Sequence, residues 1–307
     1  MVHDIILHEV GPRDGLQVEK ETVPTAKKVE WIERLAASGL DVIQLGSFVH
    51  TQKVPQMADT DDLFVYFSGP GRRPSGVQFS GLVLNEKGLE RGLACGVDFF
   101  CMGVSASDTH SRKNTGMSTA EATTRILAMA KTAMAAGRHV QVSVQSAFGC
   151  GYEGPVAEER VLGLVSRFLD AGLRTISLAD TAGHAHPQQV ERLFASVRAL
   201  GSDVVAACHL HDTYGLGLAN AYAAIKAGVQ YVESAFGGLG GCPFTAVTGG
   251  NVCTEDLVHL LHRMGLRTDV RLEPLVEVAK DAERFFGRKL PGRIMHTGAV
   301  PTVVDNR

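Results

Sequence analysis

No stretch of this 307-residue chain approaches the ~20 apolar residues that a spanning helix needs. The N-terminus, M-V-H-D-I-I-L-H-E-V, is charged within a few residues and has no apolar leader or cleavage signature, so neither a membrane nor a secretory route is expected. An excess of one charge is missing too. With 33 acidic and 30 basic residues and no run of like charge, nothing favours nucleic acid or a membrane surface as partner. Six cysteines (Cys95, Cys101, Cys150, Cys208, Cys242 and Cys253) lie scattered without a C-x-x-C pair, which fits reduced thiols in the cytoplasm better than a disulfide framework. The first strand is followed by G-P-R-D-G-L-Q and not by the G-x-G-x-x-G turn of an open dinucleotide-binding sheet.

One punctuation does recur. A helical stretch ends in glycine, and a short apolar run follows within a few residues: at Gly39, Gly96, Gly137, Gly172 and Gly228, with a looser copy at Gly201. Each glycine suits a left-handed helix cap and each run a buried parallel strand. With I-I-L-H-E-V near the N-terminus and G-V-Q-F-S-G-L-V-L from Gly76, the count is eight strands. Helices are expected over residues 24–38, 118–136, 155–171, 187–200, 217–227 and 254–264, and Pro24 and Pro187 fall near helix starts, where a missing N–H is harmless. Eight strand–helix units predict an α/β fold, a (β/α)8 TIM barrel of about residues 4–266, of the ~250-residue size typical of that fold. Residues of about 267–307 have helical periodicity and form a short C-terminal extension on the outside of the barrel, so that 1–307 is a single catalytic domain.

In such a barrel the working face lies at the C-terminal ends of the strands. Arg13 and Asp14 follow strand one, and His209 and His211 close strand seven with Asp212 behind them. A spacing of two puts both imidazoles on one face of a strand, as two ligands to one ion require; coincidence or hydrogen-bonded core histidines are the ordinary alternative. Imidazole nitrogens with carboxylate and amide oxygens suit an octahedral divalent ion, Mg²⁺ or Mn²⁺, better than a closed thiolate zinc site. Gln44, Ser47, Asp108, Asp180 and Thr181 are further polar groups at strand ends, each able merely to cap the next helix, the commonest job of Asp, Ser and Thr in such loops. Near the C-terminus, G-G-L-G-G-C-P-F places Cys242 among four preceding glycines, a density that fits either close backbone approach to a ligand or a lid.

Taken together, E-V-G-P-R-D-G-L-Q, V-P-Q-M-A-D, A-F-G-C-G-Y-E-G, I-S-L-A-D-T-A-G, H-L-H-D-T-Y-G, G-G-L-G-G-C-P-F and G-G-N-V-C-T-E-D resemble the 3-hydroxy-3-methylglutaryl-CoA lyase family. The resemblance implies a metal-dependent carbon–carbon lyase in which Asp14, His209, His211 and Asn251 hold a divalent cation. It makes Arg13, Asp14, His209 and Cys242 the catalytic set, with Gln17, Gln44, Ser47, Asp180 and Thr181 toward an acyl-CoA substrate. The implied reaction is retro-Claisen cleavage to acetyl-CoA and a keto acid. Cys242 then serves proton transfer in the loop, since C–C cleavage needs no acyl-enzyme.

One motif departs. The family carries I-E-V-T-S-F in strand two, and this chain reads I-Q-L-G-S-F, with Gln44 and Gly46. Losing the carboxylate alters the surroundings of the cation, and Gly46 is expected to enlarge the pocket. The acyl-CoA is therefore hydroxymethylglutaryl-CoA or another 3-hydroxyacyl-CoA such as citramalyl-CoA. A condensing acyltransferase of the same superfamily shares Arg13, Asp14 and H-x-H but lacks the glycine–cysteine loop, and a non-enzymatic scaffold is opposed by the retained ligands. Lys20, Arg112, Lys113 and Asn114 are candidate donors to CoA phosphates. Barrels of this type often pair, so a homodimer is the family-level expectation.

Overall fold

In the computed structural model, which describes residues 5–241 and 250–301, eight parallel strands close in sequence order. They are β1 (Ile6–Glu9), β2 (Val42–Ser47), β3 (Gln78–Leu82), β4 (Phe99–Ser105), β5 (His139–Gln145), β6 (Thr175–Ala179), β7 (Val205–His209) and β8 (Tyr231–Ser234), with β8 pairing back onto β1. The helices are α1 (Thr25–Ala37), α2 (Thr60–Ser68), α3 (Glu86–Ala94), α4 (Asp108–Thr115), α5 (Thr119–Ala135), α6 (Glu158–Asp170), α7 (Pro187–Ala199), α8 (Gly217–Lys226), α9 (Thr254–Arg263), α10 (Leu272–Phe286) and α11 (Ile294–Thr297). None of these is long and apolar enough to cross a membrane.

The glycine punctuation works as expected at Gly39, Gly96, Gly137, Gly172 and Gly228, all with positive φ between 71° and 97°. Gly201, the looser copy, is not among the positive-φ residues. Helix α6 starts at Glu158 and not at Pro155, and the short helices α2, α3 and α4 add to the six that the sequence pattern outlined. The main apolar core lies between the barrel and its helices.

The lumen is different in kind. Contacts between strands that are not neighbours must run through it, and several do: Phe99 of β4 stands 6.3 Å from Tyr231 of β8, and His8 of β1 stands 5.7 Å from Phe99. Above this aromatic layer the lumen turns polar. Gln141 of β5 donates to Glu233 of β8 at 2.5 Å, and His8 Nε2 lies 2.8 Å from Ser80 Oγ. Such a polar layer is costly unless its groups bond one another, and it forms the floor on which the site is built.

Helix α10 confirms the expected extension and gives it a place. Its buried face (Leu272, Leu275, Val278, Ala279, Ala282) packs on α1, α9 and the short turn Phe236–Gly238 that follows β8. Trp31 of α1 locks this corner, donating from its indole to Asp281 at 2.7 Å and meeting Phe236 and Phe285 edge-on.

Candidate active site

The chain leaves β1 through a single π-helical turn, Gly11–Gly15, in which the amides of Asp14 and Gly15 both point at the Val10 carbonyl. π-Turns recur at functional sites because they push side chains out of regular register. Here the turn sets Arg13 and Asp14 side by side over the open end of the barrel, with the guanidinium bonded to Asp14 through Nη1 and to Gln44 Oε1 through Nε. Asp14 titrates well below the usual carboxylate range. Burial works against this, but Arg13 and the imidazoles of His209 and His211 outweigh it.

At the top of β7, His209 Nε2 lies 3.2 Å from His211 Nε2 and 3.8 Å from Asp14 Oδ2. Ligand atoms of Asp14, His209 and His211 all fall within 4.8 Å of one another. Two donors at right angles about 2.1 Å from an octahedral ion stand about 3 Å apart, so the imidazole pair has the spacing a divalent cation needs. Among the described residues His211 Nδ1 is buried with no hydrogen-bond partner, and burial followed by the neighbouring His209 pushes this imidazole down to about 3, which keeps it neutral and able to coordinate. The donor set therefore fits a cation.

Asn251 joins the cluster by a route that runs across the molecule. Residues 250–252 pair with the chain leaving β7: His211 and Asn251 form an antiparallel bridge, Asp212 N donates to Gly250 O at 2.6 Å, and Val252 N donates to Leu210 O at 3.1 Å. The Asn251 amide donates to Asp14 Oδ2 at 2.8 Å and to Leu239 O at 2.9 Å. Gly240, at φ +109°, passes so close that a Cβ there would overlap this amide, so glycine is required both by the backbone angle and by the contact. Gly241 and Gly250 meet backbone to backbone. Between them lies Cys242, outside the described residues.

A cavity of about 650 Å³ opens above this cluster. Gln17, Gln44 and Thr181 line it together with Arg13, Asp14, His209, His211 and Gly241. Ser47 and Asp180 do not. Ser47 is fully buried, its carbonyl taken by the Thr60 hydroxyl, and the Asp180 carboxylate accepts the amides of His184 and Ala185, building the loop that presents Thr181. Burial pushes Asp180 up to about 6. Asp212 caps the start of α8 through the Gly217 amide, and Asp108 ties α4 to the Thr119 amide of α5, so both are turned to structure. Gly46 corrects an expectation: the register shifts between Gln44 and Gly46, and a Cβ at 46 would strike the Thr60 side chain, so this glycine admits α2 and does not widen the cavity. At the mouth, Asn114 lines the cavity, whereas Arg112 bonds Asp108 and Lys113 lies over the Tyr152 ring; Lys53 and His50 line the mouth unannounced by the sequence.

Comparison with known proteins places this geometry. The HMGL-like family model matches residues 4–281. The chain belongs to the HMGL-like family. A hydroxymethylglutaryl-CoA lyase of Bacillus subtilis is 38% identical, with 94% of this chain and 95% of that protein covered. An (R)-citramalyl-CoA lyase of Chloroflexus aurantiacus is 36% identical, with 98% and 97% covered. Among solved structures, an HMG-CoA lyase from Acinetobacter baumannii, in complex with coenzyme A and 3-methylmalate, superposes with a TM-score of 0.89 at 33% identity, over 97% of this chain and 98% of that one. This HMGL-like protein is accordingly a carbon–carbon lyase.

The buried glutamate Glu233 completes the site, and sequence reading did not single it out. It lines the cavity floor and its Oε2 lies 2.8 Å from His209 Nδ1. The signal was a charged residue inside the strand run V-Q-Y-V-E-S, on the same face as Tyr231 by alternation.

Proposed function

We propose that this chain cleaves a 3-hydroxy-3-methylglutaryl-CoA-type thioester to acetyl-CoA and a keto acid, with Mg²⁺ or Mn²⁺ held by Asp14, His209, His211 and Asn251. The observation that carries this reading is the convergence of Asp14, His209 and His211 within 4.8 Å beside Arg13 at the floor of an open cavity. A cation held there supplies Lewis acidity toward the substrate's tertiary hydroxyl and carboxylate oxygens. Arg13 provides the second electrophile. Its guanidinium is always charged and is fixed by Gln44 and Asp14, so it meets the enolate oxygen that develops on the thioester as the C2–C3 bond breaks. Cys242 is the proton-transfer group, carried by the segment between Gly241 and Gly250, and such positioned transfer is worth about 10²–10⁴-fold. Gln17 and Thr181 contact the acyl part, Asn114 and Lys53 are placed for the CoA end, and the whole chain acts as one catalytic unit in a cytoplasmic homodimer.

Citramalyl-CoA is the second reading, favoured by Gln44, whose neutral amide replaces a carboxylate beside Arg13. Both thioesters put a hydroxyl on C3 and release acetyl-CoA, so steady-state kinetics with each separates them. The purified protein with Mg²⁺ is expected to release acetyl-CoA from at least one, and Cys242→Ala and His211→Ala to lose most of that activity. Undiminished turnover in both variants would sink the mechanism.

A further inference from the structure

Glu233 is 6% exposed, lines the cavity, and has no role in the steps above. Its two oxygens are spent differently. One faces His209 Nδ1 at 2.8 Å, and the other accepts the Gln141 side-chain amide at 2.5 Å, with His8 Nδ1 4.0 Å away. We propose that Glu233 is the positioning residue of the cation site, holding His209 in the tautomer with its proton on Nδ1 so that the Nε2 lone pair faces Asp14 and His211. This rests on the reading that Asp14, His209 and His211 bind a divalent cation.

An imidazole offers a lone pair on one nitrogen only when the proton sits on the other, and a carboxylate against Nδ1 decides which. The other partner within reach is His211 Nε2 at 3.2 Å from His209 Nε2, and a neutral imidazole accepts a proton more weakly than the Glu233 carboxylate does. Asp14 Oδ2, at 3.8 Å from His209 Nε2, is too far to accept a hydrogen bond from it. His211 contrasts with this: among the described residues its Nδ1 has no hydrogen-bond partner, so its tautomer answers to His209 alone, through the 3.2 Å contact of the two Nε2 atoms, and no carboxylate backs it. The preorganised half of the pair is thus His209, and the group that preorganises it comes from β8. In strand two, the neutral Gln44 is occupied by Arg13. The carboxylate that backs the cation site in this chain is therefore Glu233.

Gln141 makes the isosteric variant decisive. In Glu233→Gln the amide oxygen stays with the Gln141 donor, which turns the new NH₂ toward His209 Nδ1 and drives the proton to Nε2, where a cation must bind. Metal-stripped protein is titrated with Mn²⁺ by calorimetry, and the His209 tautomer is read by ¹⁵N NMR before metal is added. Wild type is expected to bind Mn²⁺ and to show Nδ1–H. Glu233→Gln is expected to lose about 10–100-fold in Mn²⁺ affinity and to show Nε2–H, and Glu233→Asp to recover part of the loss. An unchanged Mn²⁺ affinity in Glu233→Gln, or an Nε2–H tautomer in wild type, overturns the proposal; the wild-type spectrum stands even where the variant does not fold. A wild type that binds no Mn²⁺ refutes the cation site itself, and with it both readings.

Discussion

Arg13 splits its guanidinium, Nε to Gln44 and Nη1 to Asp14, so its place depends on a fork that an ammonium cannot reproduce. Arg13→Gln is expected to lower kcat by about 10²–10³-fold, the usual cost of removing a donor aimed at developing negative charge. Arg13→Lys should recover little of it; a lysine variant with near wild-type kcat contradicts the assigned role. Removing a ligand acts elsewhere. His211→Ala should weaken Mn²⁺ binding by about 100-fold or more, beyond the loss expected for groups behind the ligands, and excess metal should restore part of the activity. At this scale the sequence was informative where chemistry sits at strand ends: Arg13, Asp14, His209 and His211 are polar residues placed just where barrel strands stop. Asn251 came only through resemblance, because its approach depends on pairing of residues 250–252 with the chain after β7, a contact no local spacing encodes. Glu233 escaped because one charged residue within a strand reads as an exception until its partners across the lumen are known.

Among elements, the turn after β8 is tied down by buried carboxyl groups. The Phe236 amide donates to Glu9 and the Gly237 amide to Glu255, two carboxylates buried beneath the start of the glycine loop. Thr254 donates to Glu9 as well, which joins the start of α9 to β1. Helix α10 closes over this corner through Trp31, Phe236 and Asp281. Trp31→Ala is expected to cost about 3–5 kcal/mol, seen as a lower denaturant midpoint, and to loosen the root of the loop. Gly46→Ala tests the strand-two bulge: its methyl must displace Thr60, which bonds Ser47 and Met57, for a loss of about 1–3 kcal/mol with KM unchanged. A lower KM with no loss of stability would return Gly46 to the pocket. Element order was legible because glycine with positive φ marks where helices end, as at Gly39, Gly96, Gly137, Gly172 and Gly228. The bulge was not, since alternation alone places Gly46 on the same face as Gln44 and only the register shift re-aims it.

For the whole molecule, buried carboxyls make stability fall on the alkaline side. Burial pushes Glu9 up to about 8 and Glu255 up to about 7. A folded-state value above the unfolded one gives stability that is complete below about 4.5 and lost as pH rises through about 7–8. The buried His8, lowered to about 4 by burial, acts oppositely, but its effect is complete above about 6.5. Tm should therefore fall between about pH 6.5 and 8, where Glu9 is the group losing its proton, by about 2–4 °C for each kcal/mol lost, and Glu9→Gln should flatten that slope; an equally steep slope in the variant rules out Glu9 as its source. The closed barrel that holds these groups also holds the reaction together, since Asp14, His209, Asn251 and Glu233 converge from β1, β7, the chain beyond β8, and β8. The most direct test is acetyl-CoA release by metal-stripped protein before and after Mg²⁺ is restored, with 3-hydroxy-3-methylglutaryl-CoA and (R)-citramalyl-CoA offered separately. The account predicts no release without metal and stoichiometric acetyl-CoA and keto acid from at least one thioester with it. Absence of Mg²⁺-dependent cleavage of both, or full cleavage by the metal-free protein, would contradict it.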